Sequence, residues 1–554
     1  MEEKRARNIM IQGTMSGAGK SLLVTALCRI FREDGYRAAP FKSQNMALNS
    51  YITADGLEMG RAQAAQAEAA GLLPDVRMNP ILLKPTSDVG SQVIVNGRVR
   101  GQYRAADYFK MKKSLVPDIL SSYHSLAAEN DILVIEGAGS PAEINLKVDD
   151  IVNMGLAKMV DSPVILVGDI DPGGVFAQLY GTIALLSPEE RERIRGTVIN
   201  KFRGDHGILR PGLQMLEDLT GVPVLGVIPY TDADIDDEDS LSGRLGRRAH
   251  EKPIDIAVIR LPRISNFTDF APLEEHPLLG VRYVSSRAEL GRPDMIILPG
   301  TKNTMGDLKW LRESGLEGQI LRLASSDTPV LGVCGGFQML GKVISDTDGV
   351  EEGGEIAGMG LLPVRTSFSG EKMRTRVRAR AIAGPFAGAA LSAYEIHMGR
   401  TVAEEGTEPF AMTESEELNP EVTGSEGMKP MKKDPENPDL VERKTQGAKP
   451  EGGSEETAGE DDFPPEDREK GVPGHMDGAR SGNVFGTYLH GLFDSGELTE
   501  KLAEYLCSRR GIDASTYTPE SRTAYRERQY EKLANCVREN IDLEALYRII
   551  FEER

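Results

Sequence analysis

The sequence predicts an α/β protein made of two successive units, each built on a parallel sheet. Over the first 230 residues, short aliphatic runs such as NIMIQG, DILVIEG and SPVILVGDI alternate with segments of helical periodicity. A second series of such runs begins at PIDIAVIRLP and continues through DMIILPG, PVLGVCGG and VFGTYLHG. Strands that are apolar throughout are typical of a parallel sheet covered by helices on both faces. We therefore expect a doubly wound first unit, followed by a separate α/β domain.

Changes in composition divide the chain. Residues 1–230 form the predicted first unit, and residues 231–252, which are polar and rich in Asp, Gly and Arg, form a linker. The second unit comprises residues 253–412 and 471–554, and its C-terminal part has the pattern of helices. The intervening residues 413–470 include 18 acidic residues, 8 basic residues and 7 prolines, with Phe463 as the only aromatic residue. Such a segment cannot bury enough apolar area to offset its ordering entropy, so we expect a disordered insertion.

Composition also limits the function classes. The 554 residues include 65 Lys+Arg and 85 Asp+Glu, a formal net charge of −20, and half of this excess lies in residues 413–470. Without a basic block, nucleic acid is not an expected partner. No secretory signal and no uncharged apolar run of about 18 residues is found, so we expect no membrane partner. Four cysteines at no metal-like spacing suit a reducing, cytoplasmic compartment: Cys28, Cys334, Cys507 and Cys536. The oligomeric state is left open.

A glycine-rich loop, GTMSGAGKS at residues 13–21, stands directly between an apolar strand and a helix. In this position backbone amides cradle phosphates, the helix N-terminus attracts negative charge, and the lysine neutralises the β and γ oxygens. The loop predicts an ATP site with Ser21 as a Mg²⁺ ligand, and a structural turn is the alternative. The five residues between Gly13 and Gly19 are the spacing of dethiobiotin synthetase and its relatives. The ATP-binding candidates are Gly13, Thr14, Ser16, Gly17, Gly19, Lys20 and Ser21.

Acidic residues at strand ends supply the candidate metal ligands. Ligands bind at the carboxyl ends of the strands in open α/β sheets. Glu136, in DILVIEGAG, is therefore the first candidate for Mg²⁺ beside Ser21, and Glu58, in GLEMGRAQ, is a weaker one. Asp169 and Asp171 end the next strand in the same way. A strand-end acid is often only a helix cap, so this alternative stays open.

Two polar clusters follow apolar runs: PFKSQNMALNS at residues 40–50 and LKPTSDVGSQVIVNG at residues 83–97. Their amide, hydroxyl and ammonium groups can bind carboxylates, amides and phosphates. Ordinary turn chemistry explains the Asn and Ser residues equally well. The substrate-binding candidates are Lys42, Gln44, Asn45, Asn49, Asp169, Asp171 and His397.

Cys334, in PVLGVCGGFQMLG, lies between an aliphatic strand and a helix, with glycines on both sides. A thiol at such a turn meets the helix dipole, which favours the thiolate, so we predict a nucleophile; a buried structural cysteine is the alternative. His490, in VFGTYLHGLFD, is the best-placed base, and His397 is its rival. Backbone amides near Gly300 and Gly335 are candidates for an oxyanion pocket, and Gln338 for glutamine binding.

Together these segments resemble the cobyric acid synthase family over nearly the whole chain. The resemblance rests on GTMSGAGKS, KSQNMALNS, EGAGSPAEINL, NKFRGD, LPRISNFTDF, LPGTKNT, GVCGGFQMLG, YEIHMG and GTYLHGLF, in this order. It implies a dethiobiotin-synthetase-like ligase fused to a class I-like glutamine amidotransferase. Cys334 would attack glutamine, His490 would shuttle the proton, and ammonia would pass to the ligase. There ATP and Mg²⁺ would activate the b, d, e and g carboxylates of adenosylcobyrinic acid a,c-diamide as acyl phosphates, giving cobyric acid.

Three features depart from the expected pattern. Class I glutaminases carry a glutamate two residues after the histidine, whereas here Gly491 and Leu492 follow His490, so we expect a Cys–His dyad. Pro172 stands where the family commonly has a basic residue, and residues 413–470 replace a short connection. Two other functions remain as alternatives: a cobyrinic acid a,c-diamide synthase, which amidates two other carboxylates, and a partitioning-type P-loop ATPase. The VCGG and YLHG segments disfavour the ATPase.

Overall fold

The structure, a computed structural model, describes residues 6–87, 90–236, 252–414, 475–514 and 520–552. Within these ranges the strands are β1 Arg7–Gly13, β2 Ala38–Phe41, β3 Gln44–Met46, β4 Ser50–Ile52, β5 Glu58–Gly60, β6 Ile81–Ser87, β7 Gly90–Val95, β8 Arg98–Arg104, β9 Ile132–Glu136, β10 Val164–Asp169, β11 Ile194–Phe202, β12 Val224–Pro229, β13 Ile254–Ile259, β14 Leu279–Val284, β15 Met295–Leu298, β16 Val330–Val333, β17 Val343–Asp346, β18 Gly354–Ala357, β19 Val364–Ala381, β20 Ala390–Ala403, β21 Ala411–Glu414, β22 Met476–Asp477, β23 Ala479–Ser481, β24 Val484–Thr487 and β25 Leu489–His490. The α-helices in the same ranges are α1 Lys20–Glu33, α2 Arg61–Ala69, α3 Ala105–Met111, α4 Val116–Glu129, α5 Met154–Met159, α6 Val175–Leu185, α7 Pro188–Glu192, α8 His206–Thr220, α9 Ala271–Glu275, α10 Arg287–Leu290, α11 Thr304–Glu313, α12 Leu316–Ser325, α13 Gly335–Leu340, α14 Glu497–Arg510, α15 Arg522–Arg538 and α16 Leu543–Phe551.

The first sheet is parallel, in the order β12–β11–β10–β1–β9–β2. Successive residues of β1 face opposite ways: Met10 belongs to one apolar cluster, and Ile9 and Ile11 belong to another. Helices α4, α6 and α8 contribute to the first cluster, and α1 contributes to the second. Burial on both faces explains why these strands are apolar throughout. The prediction of a doubly wound sheet is confirmed.

The last two helices pack against this first sheet. Leu533 and Val537 of α15 and Ile550 of α16 belong to the same buried cluster as Ile9 and Leu27. Residues 471–554 follow the second unit in the chain and are predicted to belong to it, whereas their last two helices pack on the first. An amphipathic pattern predicts a helix, but it does not say which core the apolar face will meet.

The second sheet has the order β14–β13–β15–β16–β24–β23, parallel except for the antiparallel edge strand β23. This arrangement confirms a second α/β fold. Beside it, the long antiparallel hairpin β19–β20 forms the centre of a mixed sheet that continues to β25. The hairpin also reaches the N-terminal half, where Ile52 packs with Tyr394 and Ile396. The described residues of both halves form one compact unit.

Two predicted segments fall largely outside the described residues. Residues 237–251 of the predicted linker and residues 415–474 of the predicted insertion are not described. The insertion was expected to begin at residue 413, but Thr413 still belongs to β21, where it pairs with Ala379 of β19. Among the helices that the structure describes, none is long and apolar enough to cross a membrane.

Candidate active sites

The glycine-rich loop follows β1 and leads into α1, as the sequence predicts. Gly17 and Gly19 have φ angles of 75° and 95°, a region that favours glycine. A Cβ at Gly19 would overlap the side-chain amide of Asn200, which donates a 3.0 Å hydrogen bond to the carbonyl of Ala18. The end of β11 therefore holds the loop in place. Thr14, Ser16 and Gly17 lie on the open side, where none of them is buried.

The lysine of the loop folds back over Gly13. Its Nζ donates to the carbonyl oxygens of Met15 and Gly139, each at 3.1 Å, and a Cβ at Gly13 would lie 3.1 Å from this side chain. The next residue, Ser21, donates from its hydroxyl to Oε1 of Glu136 at 2.9 Å. Ser21 and Glu136, the two residues predicted to bind Mg²⁺, are thus in contact beside the loop.

Glu136 is a buried carboxylate held by several donors. Lys42 Nζ lies 2.8 Å from Oε1, and Gln66 donates to Oε2 at 2.6 Å. Burial alone would raise the pKa of Glu136, but Lys42 and these hydrogen bonds outweigh it and hold the pKa below its usual range. An ionised carboxylate beside a hydroxyl is an oxygen donor set that suits Mg²⁺. Lys42, a predicted substrate contact, is in this structure the ion-pair partner of the candidate metal ligand.

Glu58, the weaker metal candidate, is held by a different set of residues. Its Oε1 accepts from Lys84 at 2.9 Å and its Oε2 from Lys372 at 2.7 Å. Burial would raise the pKa of Glu58, but Lys372 and Lys84 outweigh it and keep the carboxylate ionised. Two lysine ammonium groups therefore lie at the carboxylate oxygens, where a metal cation would bind.

The other substrate candidates lie around these two carboxylates and beside the glycine-rich loop. Asp169 is paired with Lys201 at 2.7 Å, and Lys201 also donates to the carbonyl of Gly17 at 2.7 Å. Asp171 is exposed and lies 3.5 Å from Arg203. The remaining three contact other polar residues of the N-terminal half. They are Gln44, which accepts from Tyr108; Asn45, which donates to Gln63 at 2.9 Å; and Asn49, whose carbonyl accepts from the Arg61 amide at 3.3 Å.

Cys334 lies at the sharp turn between β16 and α13. Its φ of 51° is unusual for a residue with a side chain, and strain of this kind concentrates at functional sites. A Cβ at Gly335 would lie 2.7 Å from the methyl group of Thr301, and one at Gly336 would overlap the carbonyl of Leu298. The glycines therefore let the turn press against the end of β15, as a nucleophile elbow requires.

His490 is held by a carboxylate that the sequence analysis missed. Its Nδ1 lies 2.6 Å from Oδ2 of Asp269, whose Oδ1 accepts from the Gly491 amide at 3.1 Å. Burial would lower the pKa of His490, but Asp269 and Cys334 outweigh it and raise the pKa to about 10. The expected dyad is thus a Cys334–His490–Asp269 arrangement. Asp269 belongs to the segment LPRISNFTDF, but 221 positions separate it from His490, so spacing alone could not pair them.

Cys334 and His490 face a cavity of about 460 Å³, which Gln338 and His397 also border. Gln338 accepts from Thr304 at 3.0 Å and donates to Tyr488 at 3.1 Å. A Cβ at Gly300 would lie 3.0 Å from the His490 ring, so glycine lets this ring approach. His397 lies on the wall of the cavity, where its ring stacks on Tyr488 and burial lowers its pKa.

Comparisons with known proteins match a domain family to each half of the chain. Residues 9–242 match the CobQ/CobB/MinD/ParA nucleotide binding domain, and residues 255–436 match the CobB/CobQ-like glutamine amidotransferase domain. The cobyric acid synthases of Lachnoclostridium phytofermentans and Ruminiclostridium cellulolyticum are 53% and 52% identical to this chain. The alignments cover 99% of this chain in both cases, and 99% and 98% of the relatives. The Alkaliphilus metalliredigens protein of the same name is 49% identical over 98% of this chain and 99% of its own.

The chain belongs to the cobyric acid synthase family. Its two matched domains make it an ATP-binding amidating enzyme of cobalamin biosynthesis with a glutamine amidotransferase domain. The resemblance seen in the motifs is confirmed, and so is the fold class of a nucleotide-binding α/β domain followed by a glutamine amidotransferase domain. The partitioning-type ATPase is excluded, because such a protein has no glutamine amidotransferase domain.

Proposed function

We propose that the chain amidates the b, d, e and g carboxylates of adenosylcobyrinic acid a,c-diamide to give cobyric acid, with glutamine as the nitrogen donor. The observation that carries the proposal is that the Cys334 cavity is lined by residues of both halves. Thr86 and Gln102 of the N-terminal half border the same space as Cys334 and His490. Ammonia released at the thiolate is therefore next to polar side chains of the nucleotide-binding half.

In the glutaminase reaction, Cys334 attacks the side-chain amide carbon of glutamine. The high pKa of His490 favours an imidazolium beside a thiolate, so a nucleophile is available without a separate base. Collapse of the tetrahedral adduct breaks the C–N bond, and His490 gives its proton to the departing nitrogen, which leaves as ammonia. The thioester left on Cys334 is then hydrolysed by water, whose proton returns to His490, so that glutamate is released and the thiolate is restored. Asp269 acts as a positioning residue, since it holds Nδ1 and leaves the other ring nitrogen facing the thiol.

In the ligase reaction, a carboxylate oxygen of the corrinoid attacks the γ-phosphorus of ATP and ADP leaves. Lys20 and the amides of residues 13–21 hold the phosphates, because the loop presents its donors at a helix N-terminus. Ser21 and Glu136 would hold Mg²⁺, which when bound neutralises phosphate charge. Ammonia then attacks the acyl phosphate carbon and phosphate leaves. Activation is required because a free carboxylate is a poor electrophile.

The test uses purified protein with glutamine, Mg·ATP and one of two corrinoids. We expect turnover on adenosylcobyrinic acid a,c-diamide, with one ATP and one glutamine consumed for each amide formed, and a final product four amides richer. Mass spectrometry of the corrinoid counts the amides directly. Turnover on the unamidated acid alone would instead assign the chain as a cobyrinic acid a,c-diamide synthase.

A further inference from the structure

A buried group of charges joins the two halves of the chain at Glu58. This carboxylate is held by Lys84 from β6 of the N-terminal half and by Lys372 from β19 of the C-terminal half. The carboxylate side chain is fully buried, and the two lysine side chains are 5% and 8% exposed. Burial of this many charges is costly even when they are paired, so the arrangement calls for a functional explanation.

A third lysine completes the group. Lys302 and Lys372 both donate to the amide oxygen of Gln92, at 3.4 Å and 3.3 Å. Lys84, Lys302 and Lys372, named here the lysine cluster, all line the cavity that holds Cys334 and His490. The cluster thus lies on the side of the glutaminase cavity that faces the nucleotide-binding half.

The surroundings of this cluster disfavour added positive charge. Burial lowers the pKa of Lys372 to about 7, assisted by Lys84 and Lys302 and opposed by Glu58. Burial also lowers the pKa of Lys302 to about 8, assisted by Lys84 and opposed by Glu58, Glu351 and Cys334. Ammonium and a lysine side chain are both amine cations, so an environment that lowers the pKa of one also lowers the pKa of the other.

Buried polar side chains continue from Glu58 towards the glycine-rich loop. Glu58 begins the segment that leads into α2, and this helix carries Gln63 and Gln66 on one face. Gln66 donates to Glu136 at 2.6 Å. Within the described residues, Gln63 Nε2 and Gln66 Oε1 are buried without a hydrogen-bond partner. Such orphaned groups point to a small polar ligand that passes or binds there.

We propose that the lysine cluster with Glu58 is a cation barrier at the exit of the glutaminase cavity, which lets neutral ammonia pass to the P-loop half and turns ammonium back. The barrier presupposes the coupled sites of the proposed function. Ammonia leaves the thioester step uncharged, whereas an ammonium ion would have to give its proton to water before it could pass the charged lysines. Fixed positive side chains act as cation barriers in pores in the same way.

The test follows the source of the amide nitrogen. Protein is given glutamine isotopically labelled at its amide nitrogen together with an excess of unlabelled ammonium, and the label in the amidated corrinoid is measured. Lys372→Met keeps the shape of the side chain and removes its charge, whereas Lys372→Arg keeps a charge. We expect the unlabelled fraction of the product to rise at least about threefold in Lys372→Met and to stay near the wild-type value in Lys372→Arg.

The matched control is Lys342→Gln, which removes a lysine from a half-exposed pair with Glu404 in the same half. It is expected to show the wild-type labelling. Lys302→Met is the second variant, so that one poorly folding protein does not decide the result. An unlabelled fraction unchanged in both Met variants would overturn the barrier, as would an equal rise in Lys372→Arg. A wild-type enzyme that incorporates no label at all would instead overturn the proposed function.

Discussion

Replacement of Asp269 by Asn tests the assignment of the glutaminase site in the most detail. The substitution keeps an oxygen for the Gly491 amide but removes the negative charge that lies 2.6 Å from His490 Nδ1. A neighbouring charge of this kind changes a pKa by about 1–3 units. Since one unit corresponds to about 1.4 kcal/mol, the imidazolium loses about 1.4–4 kcal/mol of stabilisation. We therefore expect glutamine-dependent amidation to fall about 10- to 1000-fold.

The pH dependence of glutamine hydrolysis adds a second readout for Asp269→Asn. The pKa of His490 is raised to about 10, so the imidazolium is present below this value and is lost as the pH rises through it. The alkaline decline of the wild-type rate should lie near this pH. In the variant it should move about 1–3 units towards neutral pH.

Two comparisons make the Asp269 prediction decisive. Ammonia-dependent amidation by Asp269→Asn should stay close to wild type, because this route does not use the cysteine. Asp255→Asn, which removes a partly exposed carboxylate paired with Arg282, should change either rate by less than about twofold. A variant with an unchanged glutamine-dependent rate and an unmoved alkaline decline would refute the role of Asp269.

Three further substitutions test the other parts of the account. Glu136→Gln should lower amidation about 100- to 1000-fold with either nitrogen source in steady-state assays, and full amidation would exclude Glu136 from the ATP site. Gly19→Ala, at a φ of 95° beside Asn200, should cost about 1–3 kcal/mol in denaturant unfolding and raise the KM for ATP; unchanged values would show that the loop tolerates a Cβ. Leu533→Ala should cost about 2–5 kcal/mol, because Leu533 is buried against the first sheet, whereas a cost as small as that of the exposed Leu219→Ala would contradict this docking.

The parts of the site that sequence patterns predict are those held within one strand-to-helix turn. The glycine-rich loop and the Cys334 turn are each formed by residues that are adjacent in the chain. Their glycines and flanking strands can therefore be recognised in the sequence. Ser21 and Glu136 are also predictable together, since the carboxyl ends of neighbouring parallel strands meet at one edge.

The parts that patterns could not predict depend on partners that are distant in the chain. Asp269 reads as an ordinary acid near the start of a short helix until folding brings it to His490. Glu58 reads as a strand-end ligand, but its environment is decided by Lys372, which lies 314 positions away. The sequence has two apolar cores against which α15 and α16 could pack. Their helical pattern does not show that they pack on the first sheet.

Nitrogen freed at Cys334 is expected to be used at the P-loop site of the same chain. The most direct measurement compares Cys334→Ala with wild type on the corrinoid substrate, with glutamine or with ammonium as the nitrogen source. We expect the variant to form no amide from glutamine and to form it from ammonium at a rate near that of wild type. Undiminished amidation from glutamine by Cys334→Ala would contradict it.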